Sequence, residues 1–396
     1  MYGAARIGGA HGGPAWNSGV RMTTLRVIVD EMLSGAPGGV SRYAEELTRA
    51  LISTAPKGVA VEGLVSASTE PEYERIHERL PGLATLHKSA LQRRELSSAW
   101  QHGFTRLPGT GMVHAPSLFA PLAKHDRLND GDQIIVTVHD TLAWTAPQVL
   151  SPRRVSWHKA MLKRAERYAD AIVVPSHTVA DELMTIAAVG ERIRVIGGAP
   201  SSAIRIPADA DALATELELP DRYVLAIGDI GAQNGLDQLV AALAALDDDV
   251  ALLIAGTETA SPALGSLADG AHVAPGRVRG LGALADPALS VALSRAAVFA
   301  YPNLEEGFGL PVLDAFALGT PVIHSDAPAL VELGAEAGLT VEREGEGYSE
   351  RLAEAIGSVL ADSTLADRLR VEGIDRAGVF SWRGAADKVW QLHADL

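Results

Sequence analysis

Glu306 and Asp314 stand eight residues apart in Tyr301–Gly319 (YPNLEEGFGLPVLDAFALG), the stretch whose residue types are best suited to chemistry. Its order predicts a strand, a glycine-containing turn and an apolar helix, with Glu306 on the turn, Pro311 in the first helical turn and Gly319 at the helix end. The amides of Gly307, Phe308 and Gly309, ahead of Leu310, then lie at a helix N-terminus, where unpaired N–H groups attract an anion. A diphosphate suits that place when flanking carboxylates accept sugar hydroxyls. The plainer alternative is one turn acid and one helix-surface acid.

Other residues stand where a ligand is expected. His139 ends an apolar strand, at the edge where open parallel sheets bind ligands; Asp140 either orients it or caps the next segment. Gly38 and Gly39 follow the first strand and let the backbone approach a substrate, or only make a tight turn; no Gly-Lys-Ser/Thr follows, so the loop is not a P-loop. Lys159, Lys163 and Arg167 recur every four residues, with Arg153, Arg154 and Arg164 nearby. They read as a solvated face or as a contact for anionic lipid headgroups or a phosphorylated acceptor. Gly280–Ala285 matches the dinucleotide pattern G-x-G-x-x-A, but Asp286-Pro287 starts the helix after the motif, which argues against a nicotinamide enzyme. Asp209-Ala210-Asp211 and Asp247-Asp248-Asp249 have metal-ligand spacing, yet one lies in a linker and the other precedes a strand, so no metal site is expected.

Strand signals at Leu25–Asp30, Gln133–His139, Ala171–Pro175 and Ile193–Ile196, then at Tyr223–Gly228, Val250–Gly256, Val298–Tyr301 and Pro321–His324, alternate with helical stretches such as Gly235–Leu246. Buried strands alternating with helices make doubly wound parallel sheets, an α/β fold. A chain of 396 residues predicts two domains, and the pattern breaks in Gly197–Pro220. Ser381 is the expected N-cap of the last helix.

Composition narrows the class. With 47% hydrophobic and 21% charged residues, the chain reads as globular, and no apolar run reaches the roughly 20 residues of a membrane span. Cysteine is absent, which fits a reducing cytoplasm. Residues 1–21 lack the apolar segment of a secretory signal and are expected to be a flexible tail, with Met22 an alternative start. Residues 1–200 carry 22 Lys and Arg against 19 Asp and Glu, whereas residues 201–396 carry 12 against 30. The acidic half argues against a nucleic-acid partner.

On these residues the chain resembles the retaining glycosyltransferases of family 4, which have the GT-B fold and carry a Glu-x7-Glu motif in the setting EGFGLPxLEA; residues 305–319 match it closely. The likeness continues through Pro37-Gly38-Gly39-Val40-Ser41-Arg42-Tyr43, Val138-His139-Asp140, Val173–Ser176, Val278–Gly282, Gly319-Thr320-Pro321-Val322 with Glu332 downstream, and Phe380-Ser381-Trp382. It implies two Rossmann-like doubly wound domains facing a cleft. An acceptor domain, 22–200, is joined by a returning helix, 377–396, and faces a donor domain, 201–376.

The resemblance also implies roles. Glu306 meets the donor sugar's hydroxyls and Asp314 the ribose, although Asp is one methylene shorter than the family's Glu. Gly228, Gly307, Phe308, Gly309 and Leu310 surround the donor, His139 hydrogen-bonds its sugar, and the Gly38-Gly39 loop lies beside the phosphate and acceptor. A nucleotide-sugar donor, a glycan, lipid-linked or small-molecule acceptor, and no metal or cofactor are the implied chemistry. The expected location is cytoplasmic, with the basic helix near 153–167 as the candidate contact should the chain lie at the inner face of a membrane.

The chain departs from the family after Gly228. Relatives carry an Arg and a Lys there that neutralise the diphosphate, and GDIGAQNGLDQL puts Gln233 and Asn234 in those positions. Neutral amides and a helix end remain, with Arg277 or Arg279 as candidate substitutes. At the domain boundary Gly197-Gly198-Ala199 replaces the family's Pro-Asn-Gly. The missing charges keep open a second reading, a non-catalytic binding or scaffold subunit.

Overall fold

Short β-branched runs sandwiched between helices build two separate parallel sheets in a computed structural model that describes residues 23–33, 38–104, 111–231, 233–256 and 261–396. The expected tail, Met22 and Pro37 lie outside the described residues. The first sheet contains β1 (Thr23–Ile28), β2 (Val59–Ala67), β3 (Leu86–Gln92), β4 (Met112–Ala115), β5 (Gln133–Thr137), β6 (Ala171–Val174) and β7 (Ile193–Val195), in the order β3-β2-β1-β4-β5-β6-β7. The second contains β8 (Tyr223–Ile227), β9 (Ala251–Ala255), β10 (Val278–Gly282), β11 (Val298–Tyr301), β12 (Val322–Ser325) and β13 (Leu339–Val341), in the order β10-β9-β8-β11-β12-β13.

Burial follows the two-residue period of a strand covered on both faces. In β6 all four residues are buried, yet Ala171 and Val173 enter one core while Ile172 and Val174 enter the other. Each sheet reverses its winding once, between β1 and β4 and between β8 and β11. A crevice opens at such a reversal, because the helices on either side run to opposite faces. Gly38 and Gly39 lie beyond β1, Gly228 follows β8 and Glu306 follows β11, so the residues singled out by type sit at the two crevices.

The last helix, Trp382–Asp395, is capped by Ser381, whose hydroxyl accepts the Gly384 N–H at 3.0 Å. It lies against the first sheet's helix Gly39–Ser53: Ala386, Val389 and Leu392 share a core with Leu47 and Leu51, and Trp390 donates to Thr54 Oγ1 at 3.1 Å. Here two imidazoles are buried close together. His114 on β4 is fully buried with neither ring nitrogen hydrogen-bonded, 5.9 Å between centroids from His393, whose Nδ1 donates to Gln133 Oε1 at 2.8 Å.

Burial pushes His114 down to about 4 and His393 well below the usual imidazole value, with the neighbouring His114 adding to the latter. Unfolded imidazoles titrate near about 6.5, so below that pH the unfolded chain binds more protons than the folded one. The stability tied to these neutral rings is present above pH 6.5 and is lost as pH falls toward 4. Thermal melts at pH 7 and pH 5 should therefore show a smaller loss for His114→Leu than for the wild type; equal losses would count against this.

Candidate active site

Glu306 is held by the strand end and turn that carry it. Its Oε2 accepts the Tyr301 hydroxyl at 2.7 Å and Asn303 Nδ2 at 3.1 Å, while Oε1 accepts the Gly307 and Phe308 amides at 3.0 and 3.3 Å. Burial, reinforced by the Glu306 charge, raises the Tyr301 phenol well above its ordinary value, so it stays a donor. Two of the amides expected to stand open for an anion are thus occupied by the motif's own carboxylate. The helix Leu310–Ala317 starts at Gly309, whose φ of 99° favours glycine, and a Cβ there would also press on Leu330 Cδ2 at 2.7 Å.

Gly307 brings the halves together. A Cβ on it would lie 1.9 Å from the His139 carbonyl oxygen, so the second sheet's turn rests directly on the first sheet's strand end. Ser176 Oγ donates to the Gly307 carbonyl at 2.9 Å. Glu332 accepts the His177 and Thr178 amides at 2.8 and 2.9 Å; these bonds hold it below the usual carboxylate value against the opposing effect of burial.

His139 Nε2 lies 2.6 Å from the Pro116 carbonyl, which can only accept. The proton of the neutral ring is therefore on Nε2, and Nδ1 carries a lone pair. Burial lowers the pKa, with the Pro116 bond opposing, so neutral imidazole is the resting form. The ring meets Tyr43 edge-on at 4.8 Å. Asp140 Oδ1 accepts the Leu142 N–H at 3.1 Å, so capping is its observed role.

Asp314 is 1% exposed and committed to protein partners: Oδ2 to Arg42 Nη1 at 2.5 Å and Oδ1 to the Ser201 amide at 2.8 Å. Burial pushes it up to about 6 against the pull of Arg42. Arg42, on the helix after the Gly38-Gly39 loop, also bonds Asp286 at 2.9 Å. The sequence marked Arg42 only as part of a loop motif, because its partners are more than 240 residues away.

A cavity of about 340 Å³ opens here, lined by Gly38, Gly39 and Arg42 on one side and by Gly228, Asp229, Asn234, Asn303 and Leu310 on the other. A Cβ on Gly38 or Gly39 would meet nothing within 4 Å, so their glycine character leaves open space and does not serve a tight packing contact. Asn234 faces this cavity and donates to the Asp229 carbonyl at 2.7 Å. Gln233 is not among the residues lining it. Its carbonyl accepts the Leu304 N–H at 2.8 Å, and Asp229 is the residue from this segment that joins Asn234. Neither candidate substitute reaches the cavity: Arg277 binds carbonyls of Leu246, Asp247 and Val250, and Arg279 those of Leu217 and Glu218.

A second cavity, of about 370 Å³, lies on the first sheet's side, lined by His139, Asp140, Arg154, Trp157 and His158 among others. The basic helix, Pro152–Tyr168, therefore divides. Arg154 faces this cavity, Lys159 and Lys163 are exposed, and Arg164 turns inward to the Leu122 carbonyl. No helix among the described residues is long and apolar enough to cross a membrane.

Two Rossmann-like parallel sheets, each with one reversal of strand order, have the architecture of the GT-B fold. Family comparison agrees in both halves: residues 37–199 match the model described as Glycosyltransferase Family 4, and residues 221–362 match Glycosyl transferases group 1. The chain belongs to glycosyltransferase family 4. It is 28% identical over 307 residues to alpha-maltose-1-phosphate synthase of Mycolicibacterium smegmatis, covering 71% of this chain and 78% of that protein. It is 26% identical over 412 residues to D-inositol 3-phosphate glycosyltransferase 1 of Catenulispora acidiphila, covering 94% and 95%. Its fold is similar to sucrose-phosphate synthase from Thermosynechococcus elongatus (TM-score 0.70, 23% identity, 94% and 98% covered) and to Anabaena HepE in complex with UDP-glucose (TM-score 0.72, 16% identity, 94% and 100% covered).

Gly307→Ala tests the contact between the halves. The added methyl forces them apart at His139, and a misplacement of about 1 Å at a reacting centre costs about 100-fold in rate. Turnover is expected to fall by that order while small-angle scattering shows a larger radius of gyration. Unchanged turnover would mean the contact is dispensable.

Proposed function

We propose that the protein is a retaining, metal-independent transferase that moves a hexosyl group from a nucleoside-diphosphate sugar to a hydroxyl of a glycan, lipid-linked or small-molecule acceptor. The observation that carries this reading is the contact of Gly307, beside Glu306, with the His139 carbonyl, which sets the cavity lined by Gly38, Gly39 and the Glu306 partners Tyr301 and Asn303 next to the strand end that carries neutral His139. The family likeness supports retention and independence of a metal. The 340 Å³ cavity suits the donor, and the cavity bearing Trp157 and Asp140, an aromatic face and a carboxylate, suits an acceptor sugar.

Glu306 already has four donors for its two oxygens, close to what a carboxylate can accept. A donor-sugar hydroxyl enters by replacing the weakest of them, the 3.3 Å Phe308 amide. That amide is then available to an oxygen of the donor. His139 Nδ1 accepts from a second sugar hydroxyl and orients the anomeric carbon. As the glycosidic bond breaks, negative charge grows on the leaving diphosphate, and the Phe308 amide released from Glu306 donates to it. The acceptor hydroxyl attacks from the side the diphosphate leaves, and its proton passes to a departing phosphate oxygen. Closure at Gly307 keeps water from intercepting the sugar.

Thermal unfolding against UDP, GDP, dTDP and their common sugar conjugates is the first test. A ligand at 100 times its Kd stabilises the folded state by about 2.7 kcal/mol. One nucleotide is expected to raise Tm selectively, and Glu306→Gln is expected to cut turnover about 100-fold, equivalent to that same free energy. Absence of any shift in a cooperatively unfolding protein would overturn the reading.

A further inference from the structure

A donor diphosphate brings about two negative charges into a cleft from which closure excludes water, and buried charge without a partner is strongly disfavoured. The second domain's cavity wall does not meet that need. The segment after β8 contributes Asp229 and Asn234, an acid and a neutral amide, while Arg277 and Arg279 are spent on backbone carbonyls elsewhere. Among the described residues lining the cavity, Arg42 is the one cation, and it comes from the opposite domain.

Its surroundings suit exchange. Arg42 keeps 19% of its side chain exposed, and toward the described residues it uses two of a guanidinium's five N–H donors, one to Asp314 and one to Asp286. Asp314 is buried and fixed by the Ser201 amide, whereas Asp286 is 33% exposed and has water as an alternative partner. A phosphate oxygen competes well with Asp286, since it is likewise an anionic acceptor for the same Nη2–H. The glycines three and four residues earlier leave room for the phosphate to arrive.

We propose that Arg42, carried by the acceptor-side domain, is the residue that neutralises the donor diphosphate, exchanging Asp286 for a phosphate oxygen while it keeps Asp314. This rests on the nucleotide-sugar reading above. Its consequence is that charge compensation requires closure, because cation and donor wall belong to different domains. In the absence of donor, the same guanidinium clasps the two halves through Asp314 and Asp286.

Titration calorimetry with UDP, GDP and dTDP, each beside its nucleoside, tests this on four proteins: wild type, Arg42→Gln, Arg42→Gln with Asn234→Lys, and Asp286→Asn. If the wild type binds no diphosphate, the nucleotide-sugar reading itself fails. If it does bind, Arg42→Gln should weaken the diphosphate at least about 30-fold, leave the nucleoside within about 3-fold and flatten the salt dependence. A lysine at 234, on the opposite wall of the same cavity, should recover most of that loss, which a merely structural clasp would not allow. Asp286→Asn, which leaves Arg42 in place but removes its competitor, should tighten the diphosphate several-fold. Wild-type affinity in Arg42→Gln, equal losses for diphosphate and nucleoside, or weaker diphosphate binding in Asp286→Asn would each overturn the proposal.

Discussion

The absence of a side chain at Gly307 is the constraint on which the cleft depends. Because nothing stands between its Cα and the His139 carbonyl, the turn bearing Glu306 and the strand end bearing His139 come into direct contact, and Ser176 and Glu332 tie the same seam with hydrogen bonds. Phe308 and Leu310 follow from that contact, since they pack over Gly197 and Gly198 where the chain passes between domains. Any Cβ at those glycines would meet these side chains at 2.8 Å, so the connection and the site share one packing solution.

Electrostatics inside the cleft is arranged by who partners whom. Glu306 and Asp314 have the spacing of a matched pair, yet their environments differ. The first is encircled by neutral donors from its own turn, and the second is paired with a guanidinium from the other domain and remains hard to ionise because it is buried. Desolvation dominates at Asp314 even beside Arg42, as expected when a charge loses most of its water. The pair therefore does two jobs: one carboxylate presents hydrogen-bond geometry, while the other anchors the interface.

Much of this was legible in the chain. The alternation of short apolar runs with helices specifies two doubly wound sheets, and eight strand signals coincide with strands. Strands β2, β3, β4, β10 and β13 were not marked: the edge strand β3, for example, reads LHKSALQ, with alternate residues exposed, and buries too little to show an apolar run. The cap at Ser381, Pro311 in the first turn of the Leu310–Ala317 helix and Gly319 just past its end were equally visible, because helix ends are set by exchanges between neighbouring residues and the local backbone.

What the chain alone determined are properties set within a few residues: the turn of Glu306, the helix that follows it, and the strand end at His139. Tertiary structure alone decided the rest. Arg42 meets Asp314 across 272 residues, Gln233 turns from the cavity while Asp229 enters it, Arg277 and Arg279 are drawn to carbonyls, and His114 is enclosed with His393 by the returning helix. Local order follows from backbone sterics and periodicity, which neighbours in sequence transmit. Charge compensation and burial depend on distances between segments, which only the packed sheets establish.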